Sequence, residues 1–505
     1  MNGSRHRPIR RVLLIFPPTR LHREGVKQAM PPMGAASLAA IIRDRCEVAI
    51  LDAVAEGFDH ERPSTHGFFV YGLPMEDIYR RIRSFAPDLV GMTCLYSSVF
   101  PVVAEICGVS KRAAPDALTI AGGTHPSFLP EQCLAEVPEL DMIALGEGEP
   151  VILDLLDALN NGRDPSSVDG LAYRTETGIR VNPKTKFVDD LDTLPLPARD
   201  LLPMERYQEI GVPHLLVTSR RRFATVITSR GCPARCTFCS SWRFWGSRYR
   251  ARSAEHVLAE LEHLVAAYGI REVQFEDDNI TLNPRRFRAL LDGMIQRRLD
   301  LSWSTPNGIA LWAMDRDTIL RMKAAGCYEV TLAFESGCQD VLDTIVQKPL
   351  NLAKAAPLVR DIQTAGIRTS SFFIVGFPGE TLDQMRQTFA LPRKLGLTYA
   401  WFFIANPLPG TELYEVCRRN GYLREGFDFV NNSFSRCNIK TDAWEPRDVE
   451  RLAHREFLKF NFYNLARHPR TLLQRYRSMM GNPRLVGEII RGLVHRNIRG
   501  RYPAN

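Results

Sequence analysis

The chain has 505 residues and a mass of 57.2 kDa, more than one ordinary domain holds and enough for two or three with sizeable cores. Hydrophobic residues make up 45% and charged residues 24%, the composition of a folded soluble protein rather than a disordered, fibrous or membrane-spanning one. The net charge of +8 sits at one end: from Phe462 onward nine arginines face a single acid, Glu488, so the remainder is neutral and a global nucleic-acid-binding surface is not expected.

No apolar run approaches the roughly 20 residues that cross a bilayer. The basic stretch Arg5, Arg7, Arg10, Arg11 is followed only by Val12–Phe16 and then Pro17-Pro18, too short an apolar run for a secretory signal, so the chain is expected to stay in the cytoplasm. Eleven scattered cysteines do not make a disulfide framework and are read as free thiols, ligands or nucleophiles.

The first part alternates apolar strands with helices. Strands are expected at Val12–Phe16, Glu47–Leu51, Asp88–Met92, Leu118–Ala121 and Asp141–Leu145, with helices at Gly34–Arg43, Val102–Arg112 and Val151–Leu159. This pattern indicates a doubly wound, Rossmann-like α/β domain whose ligands lie beyond the carboxyl ends of the strands. Those ends read Asp52-Ala-Val54-Ala-Glu-Gly57, then Thr93-Cys94-Leu95, then Gly122-Gly123-Thr124-His125.

In order and spacing these three stretches resemble the cobalamin-binding fingerprint Asp-x-His-x-x-Gly, Ser/Thr-x-Leu, Gly-Gly. One element departs, because Val54 stands where that family has its cobalt-ligating histidine. The resemblance implies that Asp52, Val54, Gly57, Thr93, Leu95, Gly122 and Gly123 contact cobalamin. The two glycines would let backbone approach the buried nucleotide tail, having no Cβ to clash. Without an imidazole at Val54 the lower cobalt face is expected to be open or water-bound. His125 is read as a local hydrogen-bonder rather than a substitute ligand. Residues 161–222, with weak strands at Gly170–Arg174 and Ile179–Asn182 and prolines at 195, 197 and 203, read as a linker subdomain without chemistry of its own.

The strand Phe223–Thr228 leads straight into Cys232-Pro-Ala-Arg-Cys236-Thr-Phe-Cys239, the most specific feature of the sequence. A [4Fe–4S] cube offers four irons and is usually held by four thiolates. Three ligands in one short loop leave one iron open to chelate a substrate, by the logic of a catalytic metal site. Structural zinc is the alternative, but it wants a second cysteine pair downstream, and Cys327, Cys338, Cys417 and Cys437 stand alone.

The loop resembles that of the radical S-adenosylmethionine (SAM) superfamily, and the likeness runs from Phe223 to Tyr414 in the order of its partial (β/α)6 barrel. In that superfamily the open iron chelates SAM, and an electron from the cluster cleaves it to a 5′-deoxyadenosyl radical. The resemblance implies that Cys232, Cys236 and Cys239 bind the cluster and that Phe238 lies beside the adenine. Asp277 and Asp278, after Glu272–Glu276, match the acidic strand end near the methionyl amine. Glu335-Ser336-Gly337, after Val330–Phe334, matches the ribose-contacting end, where a carboxylate can accept both hydroxyls. Gly376-Phe-Pro378-Gly379-Glu380 and Asn406-Pro-Leu-Pro409-Gly410-Thr411 match the fifth and sixth strand ends, with Gly376 at the SAM site. Helix Ser253–Tyr268 carries a barrel-facing stripe at 257, 258, 261, 264 and 265.

The expected organisation is therefore 1–160 cobalamin-binding-like, 161–222 linker, 223–441 radical SAM core and 442–505 a basic helical segment. In that last segment helices are expected over Arg455–Leu465, Leu472–Met480 and Leu485–Val494. They read as a barrel cap with a solvated basic face, the rival being peripheral contact with the inner face of a membrane. A cobalamin-like domain ahead of such a barrel resembles the cobalamin-dependent radical SAM enzymes, mostly methyltransferases. The resemblance implies a SAM-derived radical that removes hydrogen from an unactivated carbon, which then collects a methyl group carried by cobalamin. It further implies a small-molecule, lipid or tetrapyrrole substrate and an electron donor such as flavodoxin or ferredoxin. The alternatives are a cyclase or oxidoreductase without methyl transfer, and a non-enzymatic cobalamin sensor, which would not need the barrel. Methylthio transfer to tRNA is disfavoured, because Cys46, Cys94, Cys107 and Cys133 are not placed as ligands of a second cluster.

Overall fold

A computed structural model describes residues 8–215, 218–220, 222–469, 480 and 482–498, with side chains of the final helix to 491. The chain divides into two compact units: residues 1–216 together with 483–505, and residues 217–482.

The first unit is built on a seven-stranded sheet. Its five parallel strands are Arg11–Phe16, Glu47–Asp52, Leu89–Thr93, Leu118–Gly122 and Met142–Ala144, as the apolar runs predict. Arg11–Phe16 lies between Glu47–Asp52 on one side and Leu89–Thr93 on the other, with the remaining two strands following outward. The strand order thus reverses beside Arg11–Phe16, and a crevice for ligands opens at such a switch point. Pro17-Pro18 stops the first strand, since proline cannot donate to the ladder. Helices Met33–Ile42, Phe100–Ala113 and Gly148–Asn160 occupy the predicted positions.

The region read as a linker instead extends this sheet. Leu171–Thr175 pairs antiparallel with Met142–Ala144, and Gly178–Val181 forms the edge. Leu171, Ala172 and Tyr173 are buried, so the hairpin belongs to the first core. A small antiparallel sheet of Thr19–His22, Phe68–Tyr71 and Glu61–Pro63 had no counterpart in the sequence reading.

The second unit is a parallel sheet of six strands in sequence order: Phe223–Val226, Glu272–Phe275, Ser302–Ile309, Cys327–Glu335, Arg368–Val375 and Trp401–Ile404. Helices Ala254–Tyr268, Pro284–Gln296, Arg316–Ala324, Leu352–Thr364 and Leu382–Lys394 return the chain between them, the repeat of a partial (β/α)6 barrel. Ser253 caps the first of these helices by accepting from His256 N, and Val257, Leu258, Leu261 and Leu264 are its buried face. Along the strands apolar side chains such as Val273 and Phe275 join the core cluster, whereas the intervening Gln274 is a buried polar residue. Thr331 and Ser370 are bonded to each other at 2.9 Å in the same barrel.

The third strand, Ser302–Ile309, was not foreseen. Its run Pro306-Asn-Gly308 reads as a turn, yet the ladder tolerates it through a register shift between Thr305 and Ile309. Trp303 anchors it: fully buried, it meets Phe275 and Phe287 edge-on and donates its indole N–H to Ala325 O at 2.9 Å.

The expected C-terminal segment is split between the units. Helix Pro446–Arg467, which contains the predicted 455–465, packs on the last barrel strand through Phe460 and Phe402. Leu472–Met480 falls outside the described residues save its last position. Helix Pro483–Ile498 belongs to the first unit. Among the described residues no helix is long and apolar enough to cross a membrane.

Replacing Trp303 by alanine removes the anchor of the third strand and should cost about 3–5 kcal/mol. Calorimetry should show this as a lower transition for the barrel, and an unmoved transition would contradict the anchoring role.

Candidate active site

Beyond the first barrel strand, a short strand Ser229–Arg230 paired with Arg250–Ala251 leads into the cysteine loop, which runs without helix or strand to the helix Ser241–Phe244. Thr237 N donates to Val346 O at 3.1 Å, its hydroxyl to Ile345 O at 2.9 Å, and Leu413 N to Thr237 O at 2.8 Å. Cys239 N closes a turn on Cys236 O at 3.0 Å, and Ser241 N donates to Cys239 Sγ at 3.4 Å. Cys232 and Cys239 are half-buried and Cys236 is buried. Burial pushes the Cys236 thiol up to about 11 and Cys239 to about 12, and raises Cys232 as well. A metal that replaces the proton supplies the charge such a site otherwise lacks. Among the described residues no three His, Cys, Asp or Glu side chains converge on one point as a single ion would require. A cube asks for something different, since each thiolate takes its own iron at a separate corner.

Around this loop the strand ends divide into inward and outward groups. Asp277 is buried and accepts from Thr228 N and Oγ1, the latter at 2.7 Å, and from Ser229 Oγ. Burial raises its carboxyl against the lowering effect of Arg286 and these bonds, and its work is to tie the first two strand ends together. Asp278 is exposed and accepts from Ser241, two residues past Cys239. Of the acidic pair, Asp278 alone has a carboxylate free of the fold's own bonding to backbone. Phe238 packs beside Phe377 with centroids 6.1 Å apart.

Glu335 ends the fourth strand with φ +64°, a left-handed conformation that a non-glycine residue adopts only under constraint. Its Oε1 accepts from Lys348 Nζ at 3.0 Å, and both side chains are buried. Burial pulls the Lys348 ammonium down, but Glu335 and the thiols of Cys236 and Cys239 hold it above its usual range. Lys348 follows a π-helical turn, Val341–Val346, whose carbonyls pin the cysteine loop. Sequence reading missed this lysine: nothing local distinguishes it, and only the fold brings it to Glu335. Ser336 turns inward, bonding Thr388 Oγ1 at 3.1 Å and Cys338 N, so its hydroxyl holds the strand end against a helix.

Gly376 N and Phe377 N donate to Glu380 Oε2 at 2.7 and 3.1 Å. Glu380 Oε1 has no partner, and burial pushes this carboxyl up to about 8. In the sequence Glu380 stands only as the end of the turn Gly376-Phe-Pro378-Gly379-Glu380.

In the first unit, Asp52 caps the short helix Ala53–Glu56 by accepting from Val54 N and Ala55 N at 3.0 and 2.9 Å. Its other oxygen accepts from Tyr207 OH at 2.5 Å, and burial raises its carboxyl to about 6. Tyr207 lies in helix Met204–Ile210, inside the stretch read as an inert linker. Val54 is buried. Gly57 and Gly123 are demanded by the protein's own backbone crossings: a Cβ would stand 2.1 Å from Leu73 N and, at φ +113°, 2.5 Å from Cys94 O. Gly123 therefore has a reason within the fold besides the close approach of a ligand. Gly122 is different, with only ordinary contacts at 3.7 Å and beyond.

Thr93 pairs with Gly122 in the sheet, and beside them Leu95 and Tyr96 are exposed, 45% and 65%. An apolar rim at the carboxyl ends of the strands, beside the switch point, fits an organic group laid across it. His125, next to this rim in sequence, is buried; its Nδ1 lies 2.9 Å from Ser97 Oγ and its ring packs on Phe100.

Comparison with known proteins bears on both units. Residues 22–156 match the B12 binding domain family and residues 226–391 the radical SAM superfamily. The cytidylyl-2-hydroxyethylphosphonate methyltransferase of Streptomyces wedmorensis is 32% identical over 486 residues, covering 90% of each chain. This chain belongs to the cobalamin-dependent radical SAM enzymes. The anaerobic magnesium-protoporphyrin IX monomethyl ester cyclase of Rubrivivax gelatinosus is 28% identical, over 75% of this chain and 66% of its own. The cobalamin-dependent SAM radical enzyme OxsB, solved with aqua-cobalamin and SAM bound, shares the fold at a TM-score of 0.70 and 18% identity, over 98% of this chain and 74% of that one. The enzyme accordingly uses a [4Fe–4S] cluster, SAM and cobalamin, and it modifies carbon.

The Glu380 carboxyl binds its proton more tightly folded than unfolded. Its contribution to stability is therefore full below the ordinary carboxylate range and is lost as pH rises toward about 8. Glutamine keeps the acceptor for Gly376 and Phe377 and carries no charge. E380Q should melt like the parent near pH 4.5 and above it at pH 8.5, and parallel melting profiles would contradict the shift.

Proposed function

We propose that the enzyme transfers a methyl group from SAM to an unactivated carbon of a small-molecule substrate. The observation that carries this reading is the methyltransferase relative that matches nine tenths of both chains at 32% identity. The cyclase is less similar and extends well beyond the length this chain matches. The methyltransferase relative is named for a cytidylyl-linked phosphonate, which favours a small polar substrate over a lipid or tetrapyrrole.

Cys232, Cys236 and Cys239 are the proposed cluster ligands, each thiolate on its own iron. When bound, the cluster supplies the electron that cleaves SAM, and cobalamin carries the methyl group. The loop's bonds to Val346, Ile345 and Leu413 hold the thiols in place before metal arrives. Asp278, the outward member of its pair, faces the methionyl amine, and Phe238 the adenine. Glu335 accepts from the ribose hydroxyls with one carboxylate oxygen while Lys348 holds the other, and Gly376 allows the chain to pass close to SAM. Asp52, with Gly57 and Gly123, shapes the cobalamin loops from inside. Val54, Thr93, Leu95 and Gly122 would line the cobalamin side, where valine at 54 would supply no imidazole to the cobalt. A flavodoxin- or ferredoxin-type protein supplies the electron.

Anaerobic reconstitution with iron, sulfide, cobalamin, SAM, a strong reductant and candidate small-molecule extracts tests this by mass spectrometry. S-adenosylhomocysteine together with 5′-deoxyadenosine, and a substrate heavier by one methyl group, is the expected result. 5′-Deoxyadenosine without S-adenosylhomocysteine would overturn methyl transfer in favour of the cyclase or oxidoreductase reading. Alanine at Cys232, Cys236 or Cys239 should abolish 5′-deoxyadenosine, and its persistence would overturn the cluster assignment.

A further inference from the structure

The C-terminal helix Pro483–Ile498 carries Arg484 and Arg491, which a membrane reading would use, yet both are paired within the first unit. Arg484 pairs with Asp59 at 3.4 Å and donates to Glu209 O at 3.2 Å. Arg491 stands over the Phe69 ring at 4.2 Å, pairs with Glu488, reaches Glu61 at 3.8 Å and donates to Gly25 O at 3.4 Å. Leu485 is buried.

The centre of this contact is Lys27, itself buried. Its ammonium lies 2.6 Å from Glu61 and 3.3 Å from Glu488 of the C-terminal helix, and it donates to Phe58 O at 3.2 Å. Lys27 N also donates to Glu488 Oε2 at 3.3 Å, across 461 residues of sequence. A buried ammonium is tolerated only when carboxylates and acceptors surround it, so losing Glu488 leaves Lys27 half-compensated.

Three of these anchors, Phe58, Asp59 and Glu61, fall on one segment. Phe58, Asp59 and Glu61 directly follow Gly57, the end of the Asp52–Gly57 stretch assigned to cobalamin. From the other side Arg206 donates to Ala55 O at 3.2 Å and pairs with Asp59 at 3.1 Å. The segment leaves the end of the outermost parallel strand and enters the small antiparallel sheet at Glu61. Tertiary contacts must fix it, and the C-terminal helix provides several of them.

We infer that the C-terminal helix is a clasp that pre-orders the Gly57–Glu61 segment for cobalamin, with Glu488 and Arg491 as positioning residues through Lys27 and Glu61. This inference rests on the assignment of Asp52–Gly57 to cobalamin. Ordering the segment in advance removes an entropic cost from cofactor binding, so the clasp appears as affinity rather than as chemistry.

The test uses the full-length protein with its cluster reconstituted, titrated with hydroxocobalamin by visible absorption and ultrafiltration. E488Q and, separately, R491M should weaken cobalamin binding about ten-fold, while E488D should recover most of it. Iron content per chain and SAM binding should match the parent. Parental cobalamin affinity in both E488Q and R491M, even with a lowered melting temperature, would overturn the clasp and leave the helix a structural cover. A parent protein that binds no cobalamin would overturn the cobalamin assignment itself, and the clasp with it.

Discussion

Three thiols within eight residues must be held apart and facing one way, with neither helix nor strand to carry them. The protein meets this constraint by tying the loop to two later elements of the barrel. Thr237 is bonded to the turn after the fourth strand through Ile345 and Val346, and to the helix after the sixth through Leu413. The loop is therefore held by elements that follow the fourth and sixth strands. A cofactor site assembled this way belongs to the whole barrel rather than to the cysteine segment.

The same turn organises the charge beside the loop. Glu335 is held in a left-handed conformation at one end and Gln347 at the other, with φ +64° and +57°. Backbone strain of this kind costs on the order of 1–3 kcal/mol and persists where its surroundings over-determine it. Here it brings Lys348 back onto Glu335, and the pair lies buried next to the thiols. Removing one partner would strand a buried charge, so the two residues are expected to tolerate change only together.

Much of this was legible in the sequence. Apolar runs ended by Gly, Pro or acidic residues located five strands of each unit, and the C-x3-C-x2-C spacing located the loop. What escaped depended on contacts distant in sequence or on polar strands. Ser302–Ile309 carries a turn-like Pro-Asn-Gly that only pairing on both sides makes a strand. The weak strands expected at Gly170–Arg174 and Ile179–Asn182 are present, but their membership of the first sheet depends on pairing with Met142–Ala144, which their own residues do not reveal. Lys348, Glu380 and Tyr207 have no local signature, since each is defined by the carboxylate or backbone it meets. The arginines of the last helix read as a solvated or membrane-facing surface until the acids of the first unit were found opposite Arg484 and Arg491. Periodicity shows which side of a helix is apolar; it does not show which carboxylates await the other side.

The central claim is that three cysteines leave one iron of a cube open to SAM. Electron paramagnetic resonance of the reduced, reconstituted enzyme, with and without SAM labelled at its methionyl nitrogen, tests it most directly. The account predicts about four irons per chain, a cluster signal that shifts on adding SAM, and coupling to the labelled nitrogen. A signal indifferent to SAM, or a single bound metal ion per chain, would contradict it.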